Sequence, residues 1–202
     1  HDLSVSRSTE NTSFMLSGRY LDQEGLFRYS SDDYRLLNMR APGTLQLYAW
    51  LEVRNNFSIA DRTYYNRLNV GEGGGIWRNI ADEGHPLAPM LNPDGTLTHS
   101  AAYTVGDFYY GKNGMDQEWR TMRNTTGFTS DFFGETLEIN GDFTFQQSAA
   151  AETRRRVQIP YSRAPGVVEW LGTQYNDLRD TDDNTLYLAG NLYGEYDNYL
   201  GD

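Results

Sequence analysis

The sequence predicts an all-β chain whose antiparallel strands form the wall of a transmembrane β-barrel. Three observations carry that reading. Seven stretches alternate apolar and polar residues, the mark of a strand with one greasy and one wet face. The connections between them alternate short and long. No run reaches the roughly 18 apolar residues of a membrane helix, but barrel strands hide their apolar residues at every second position. A soluble sandwich has no reason to gather its long loops at one end. A membrane barrel keeps tight turns on one side and long loops on the other.

Strand one is expected over residues 2–9, with Leu3 and Val5 on the apolar face, and strand two over 12–27. Strand three, 34–47, shows the alternation best. Leu37, Met39, Ala41, Gly43, Leu45 and Leu47 share one parity, and Asn38, Arg40, Thr44 and Gln46 the other. Pro42 removes a ladder donor, so a bulge or irregularity is expected there. Strand four, 50–66, repeats the pattern with Leu51, Val53, Phe57 and Ile59. The shared parity predicts an antiparallel hairpin turning at Tyr48-Ala49, its apolar residues facing outward toward lipid. Strand five is expected over 118–133, strand six over 136–156 and strand seven over 185–199. In strand six, Leu137, Ile139, Gly141, Phe143 and Phe145 oppose Glu138, Asn140, Asp142, Thr144 and Gln146.

The short connections are Thr9–Thr12, Tyr48-Ala49 and Gly134-Glu135; the long ones are 25–33, 68–117 and 157–183. A spanning strand needs roughly 9–11 residues, so several of these should project beyond the bilayer. The 68–117 connection is too long to be a plain connector. It holds a glycine-rich run at 71–75, a short helix expected over 76–81, and the turn signal Asn92-Pro93-Asp94-Gly95.

Composition narrows the function classes. A net charge of −11 argues against nucleic acid, whose phosphates need a basic face. Cys is absent, which excludes a disulfide framework and thiol chemistry. Tyr contributes 15 residues and suits either a membrane-interface girdle or a sugar- or peptide-binding surface. No signal peptide is present and the chain opens within a strand, so it reads as an internal piece of a longer protein.

Several short motifs bear on chemistry. Gly106-Asp107-Phe108-Tyr109-Tyr110-Gly111-Lys112-Asn113 nearly spells a phosphate loop, but Asn113 stands where a Ser or Thr must hold magnesium, and no strand–helix context surrounds it. Asp180, Asp182, Asp183 and Asn184 crowd oxygen ligands together. No Gly or distal Glu follows at EF-hand offsets, so a solvated acidic loop is expected rather than a cation site. Arg154-Arg155-Arg156 reads as a solvated strand extension, with lipopolysaccharide phosphates or an acidic partner as the alternative contact. No carboxylate pair and no nucleophile elbow stands out, so no catalytic residue, metal or cofactor is expected. Trp77, Phe108, Tyr109, Tyr110 and Trp119, in or beside the long loop, are the candidate substrate or partner contacts. The bland alternative is that they form the loop's own small core.

The segment Leu3-Ser4-Val5-Ser6 followed by Thr9-Glu10-Asn11-Thr12-Ser13-Phe14 and Gly18-Arg19-Tyr20-Leu21-Asp22-Gln23-Glu24-Gly25 resembles a hairpin of the SusC/RagA family. So do Asn69-Val70-Gly71-Glu72-Gly73-Gly74, the run 76–86, Leu91-Asn92-Pro93-Asp94-Gly95-Thr96-Leu97 and Glu152-Thr153-Arg154-Arg155-Arg156-Val157. The resemblance runs through the whole chain in order; Arg7 and Ser8 depart from it, standing where the family usually shows a Gly pair. These are TonB-dependent outer-membrane transporters of Bacteroides-type bacteria. The resemblance implies import of oligosaccharides or oligopeptides across the outer membrane of a Gram-negative cell. It implies a SusD-like lipoprotein as cap, TonB acting through an N-terminal region, and a plug, neither of the last two carried by these residues. Plugged transporters have about 22 strands, so seven strands would be about a third of such a barrel. The alternative class is a soluble, aromatic-rich β-sandwich that binds carbohydrate.

Overall fold

The computed structural model describes residues 1–26, 31–68, 80–82, 84–133, 136–173 and 176–197. Its strands are β1 (Asp2–Ser8), β2 (Thr12–Glu24), β3 (Asp33–Tyr48), β4 (Leu51–Arg67), β5 (Gly114–Phe132), β6 (Leu137–Arg156), β7 (Ile159–Ala164), β8 (Val167–Leu171) and β9 (Asp177–Tyr196). A helix, α1 (His99–Tyr110), precedes β5. Seven strands make one antiparallel sheet in the order β1-β2-β3-β4-β5-β6-β9, and β7 and β8 form a separate hairpin. The all-β expectation stands, with a short helix added.

Register separates the two faces of the sheet. One ladder row reads Leu45, Val53, Phe128, Gly141, Leu192 across five strands. The adjacent row reads Thr44, Arg54, Gly127, Asp142, Asn191. Residues directly opposite share a face, so the first row belongs to an apolar face and the second to a polar one. Glycine at 141 has a packing reason: an added Cβ would meet the Phe128 ring at 2.5 Å. Asn55 interrupts the apolar face, and its amide donates to Asn124 and Thr126 beside it at 2.9 and 2.8 Å. The apolar face is open: Leu3 is 74% and Leu192 73% exposed.

The sheet curves toward its polar side. A cleft of about 760 Å³ is lined by Ser6 and Ser8 of β1, by Thr44 and Arg123 in the middle, and by Tyr187 and Asn191 of β9. A flat seven-stranded face, about 29 Å across between its edge strands, offers no walls to enclose one cleft whose lining runs from β1 to β9. The polar face is therefore concave.

Connections alternate as the sequence predicts. Ser8 pairs with Ser13 across a tight turn closed by the Thr9 N–H donating to the Thr12 carbonyl at 2.7 Å. The long connections lie at the opposite end. Several details differ from expectation. Tyr48 pairs with Leu51, so the β3–β4 turn is Ala49-Trp50, one residue later than expected. Pro42 does bring the expected irregularity, though no bulge: pairing with β2 lapses at Ala41 and Pro42 and resumes unshifted at Arg40. The bulge sits instead between Gln46 and Tyr48. Gly134-Glu135 and the run 71–75 lie outside the described residues, as does most of the helix expected at 76–81; residues 80 and 81 of it are helical, and so is Asp82. β5 begins at Gly114 and β9 at Asp177, both earlier than expected. The acidic run 180–184 is thus strand, not loop. Alternation sends Asp180 and Asp182 to one face and Asp183 to the other, which disperses the oxygens.

Candidate functional site

The two longest connections fold onto each other and make a platform at one end of the sheet. Its core is Leu97, Ala101, Ala102, Ile159, Tyr161 and Leu171, drawn from both connections, and Leu97 is wholly buried. Local signals place each part. Thr98 caps α1, its hydroxyl accepting from the Ala101 N–H at 3.3 Å. Gly111 ends α1 at φ 65°, a left-handed conformation that favours glycine. This explains the near-miss phosphate motif: residues 106–113 are a helix end and its cap.

Two asparagines staple the connections. The Asn92 amide donates to the Leu97 and Ser162 carbonyls at 3.3 and 3.0 Å. The wholly buried Asn113 donates to Asp107 at 2.5 Å and the Val157 carbonyl at 2.8 Å, and accepts from the Val157 N–H at 2.6 Å. Tyr161 packs edge-on against His99, with ring centroids 4.9 Å apart. Its hydroxyl donates to Glu169 at 2.5 Å, and that bond raises the phenol pKa above its ordinary value. A pocket of about 320 Å³ opens beside α1, lined by His85, Pro86, Pro89, Met90 and Val105 among others.

The expected contact residues divide. Phe108 is buried, and Tyr110 packs on the core with its hydroxyl donating to the Pro160 carbonyl at 3.2 Å. Tyr110 thus packs as the bland alternative has it, and the burial of Phe108 leaves little of its ring at the surface. Tyr109 remains exposed. Trp119 lies on the polar face of β5, with the Arg62 guanidinium 4.3 Å above its ring. Trp77 lies outside the described residues.

Sequence reasoning missed the β7–β8 hairpin. Val167, Val168 and Trp170 stand exposed there, Trp170 at 52%, opposite Pro160 in the ladder. The turn signal Ala164-Pro165-Gly166 before an apolar run was the available cue. Of the arginine cluster, Arg156 pairs with Asp177 at 3.1 Å, and Arg154 and Arg155 take opposite faces. Among the described residues no group of three or more His, Asp or Glu converges as metal ligands.

The geometry therefore defines a class: a two-faced, curved antiparallel wall with a loop platform at one end. Compared with known proteins, the chain matches no protein-family model and no curated protein.

Proposed function

We propose that this chain is wall and outer loops of a large outer-membrane β-barrel, part of a SusC/RagA-like, TonB-dependent importer of oligosaccharides or oligopeptides. The single observation that carries the reading is the open apolar face backed by a concave polar one. An exposed apolar patch of this extent needs lipid or protein over it. On β9 the apolar parity runs from Leu186 to Tyr196. Ten steps of about 3.4 Å, tilted by about 40°, give a height of about 26 Å, against about 25 Å for the lipid-facing band of known barrels. At the tight-turn end Trp50 stacks between Tyr48 and Phe132, with centroids 5.5 and 5.7 Å away, the placement of an interfacial aromatic girdle.

In this reading the platform is extracellular, and Tyr109 and Trp170 meet substrate or a SusD-like lipoprotein. TonB acts through a region outside these residues, and the chain performs no bond-making chemistry. The sandwich alternative needs a second sheet over the apolar face. The described second sheet, β7–β8, packs on α1 in the platform instead.

The test is partitioning of the intact protein. Recovery in the outer-membrane fraction, with a folded form that migrates differently before and after boiling, supports the reading. Recovery as a soluble monomer refutes it.

A further inference from the structure

We propose that a small cavity on the outer face of the wall, just beyond the apolar band, holds a lipid headgroup that carries a phosphate and a primary amine, a phosphoethanolamine. The cavity measures about 170 Å³. Ordinary ligand pockets run to roughly 300–1,000 Å³, so its occupant is small. Two adjacent rows of the ladder build it. Asp61, Arg120, Ala149 and Asn184 lie opposite one another in turn across β4, β5, β6 and β9. Glu118, Ala151 and Asp182 make the next row on the same face. Neighbouring strands lie about 4.8 Å apart, so β5 and β9 stand about 10 Å from each other. Ala149 and Ala151, between them, give that gap its low floor.

Register fixes the depth. The row Ile59, Met122, Gln147, Leu186 lies next to the cavity on the same face, and Leu186 opens the apolar band of β9. At about 3.4 Å per residue and a tilt of about 40°, Asn184 stands about 5 Å and Asp182 about 10 Å beyond Leu186. Headgroups occupy about 5–8 Å on each side of the hydrocarbon. The cavity therefore opens into the headgroup layer, on the face that lipid covers in the barrel reading, and the inference rests on that reading.

The chemistry of the walls selects the headgroup. Arg120 donates from Nε to Asp61 Oδ2 at 2.7 Å, and its Nη2 lies 2.7 Å from the same oxygen. That pair is neutral as a unit, and the guanidinium, 65% exposed, keeps further N–H groups for a phosphate. Glu118 and Asp182 take part in no ion pair among the described residues. Two uncompensated carboxylates favour a cation and repel a headgroup that is only anionic. A metal ion needs about six oxygens drawn close around it. Among the described residues no three acidic or His side chains converge in that way. An ammonium brings three N–H donors on a flexible stem and spans a wider gap. With its amine toward Glu118 and Asp182 and its phosphate toward Arg120, phosphoethanolamine matches both ends of the cavity.

The test refolds the intact protein into vesicles of phosphatidylethanolamine and phosphatidylglycerol in equal amounts, with a chelator present. The barrel is extracted in mild detergent, and native mass spectrometry counts the lipid it retains. The expected result is one phosphatidylethanolamine kept at least roughly tenfold over phosphatidylglycerol, the effect of one charge-assisted hydrogen bond. Glu118→Gln with Asp182→Asn should bring the two lipids to parity. So should Ala151→Leu, which fills the floor and keeps every charge. Asp22→Asn with Glu24→Gln removes two charges from the same face on β2 and should leave the preference intact. Parity in the unchanged protein, or a preference that survives both cavity variants, overturns the inference while leaving the barrel intact. Equal retention of phosphatidylcholine, whose amine has no N–H to donate, also overturns it. If the unchanged protein never shows boil-sensitive migration, the barrel reading itself has failed, and the inference with it.

Discussion

Leu192 and Tyr193 are neighbours in β9, both exposed, at 73% and 57%, and they point to opposite faces. Arg in place of each is the sharpest contrast the fold offers. Neither side chain fills a core, so neither substitution opens a cavity, and in water each should change stability by no more than about 0.5 kcal/mol. In a membrane the two diverge. Leu192 lies near the middle of the apolar band, opposite Gly141. Leu192→Arg there places a guanidinium against hydrocarbon at a cost of about 2–4 kcal/mol. That is roughly a 30- to 700-fold loss in the folding equilibrium. Tyr193→Arg faces the polar side and should stay near the unchanged protein. The assay is urea unfolding of the intact protein refolded into lipid vesicles, scored by tryptophan fluorescence and by the boil-sensitive gel shift. Equal midpoints for the two variants, or a larger loss for Tyr193→Arg, would refute the assignment of faces.

Three further outcomes follow from the platform. Asn113→Ala removes one donor from the Asp107 carboxylate and the side-chain partner of both Val157 backbone groups, a loss of about 3 kcal/mol; hydrogen exchange should show α1 and β7 opening while β3 and β4 stay protected. Deleting residues 72–112, with β4 and β5 rejoined by a short turn, should leave the barrel inserted but weaken uptake or cap association; unimpaired import with the partner still held would show the loop to be dispensable. Asp94 accepts from the Thr96 hydroxyl and backbone N–H at 2.6 and 3.1 Å, which holds its pKa below the ordinary carboxylate value. Its contribution is therefore full above the unfolded pKa and is lost as pH falls through the lower folded one; exchange at the Thr96 amide should quicken only across that acid window, and Asp94→Asn should abolish the pH dependence.

Much of the sheet was legible because alternation is a strong signal where each face has one character. β3 carries it from Leu37 to Leu45 and β4 from Leu51 to Ile59 with Asn55 the one interruption, and their ends were placed within one residue. β9 was cut short because Asp180, Asp182 and Asp183 read as loop; beyond the apolar band both faces of a strand are wet, and the period of two disappears. The platform was harder. Its core joins Leu97 to Ile159 and Leu171, far apart in sequence, and no local pattern announces which connections meet. Phe108 and Tyr109 are adjacent in sequence, yet one is buried and the other exposed; only the way α1 is seated in the platform separates them.

The central claim is that alternate residues of this sheet face lipid and water, and site-directed spin labelling measures that directly. Single cysteines at residues 186–193 of β9, in the intact protein in lipid vesicles, are labelled and scored for collisions with oxygen, which concentrates in hydrocarbon, and with a water-soluble nickel chelate. The account predicts a period of two: oxygen collisions peak at Leu186, Leu188, Gly190 and Leu192, and nickel collisions or occluded sites fall at Tyr187, Ala189, Asn191 and Tyr193. Uniform access to the nickel chelate along the strand, or the inverted alternation, would contradict it.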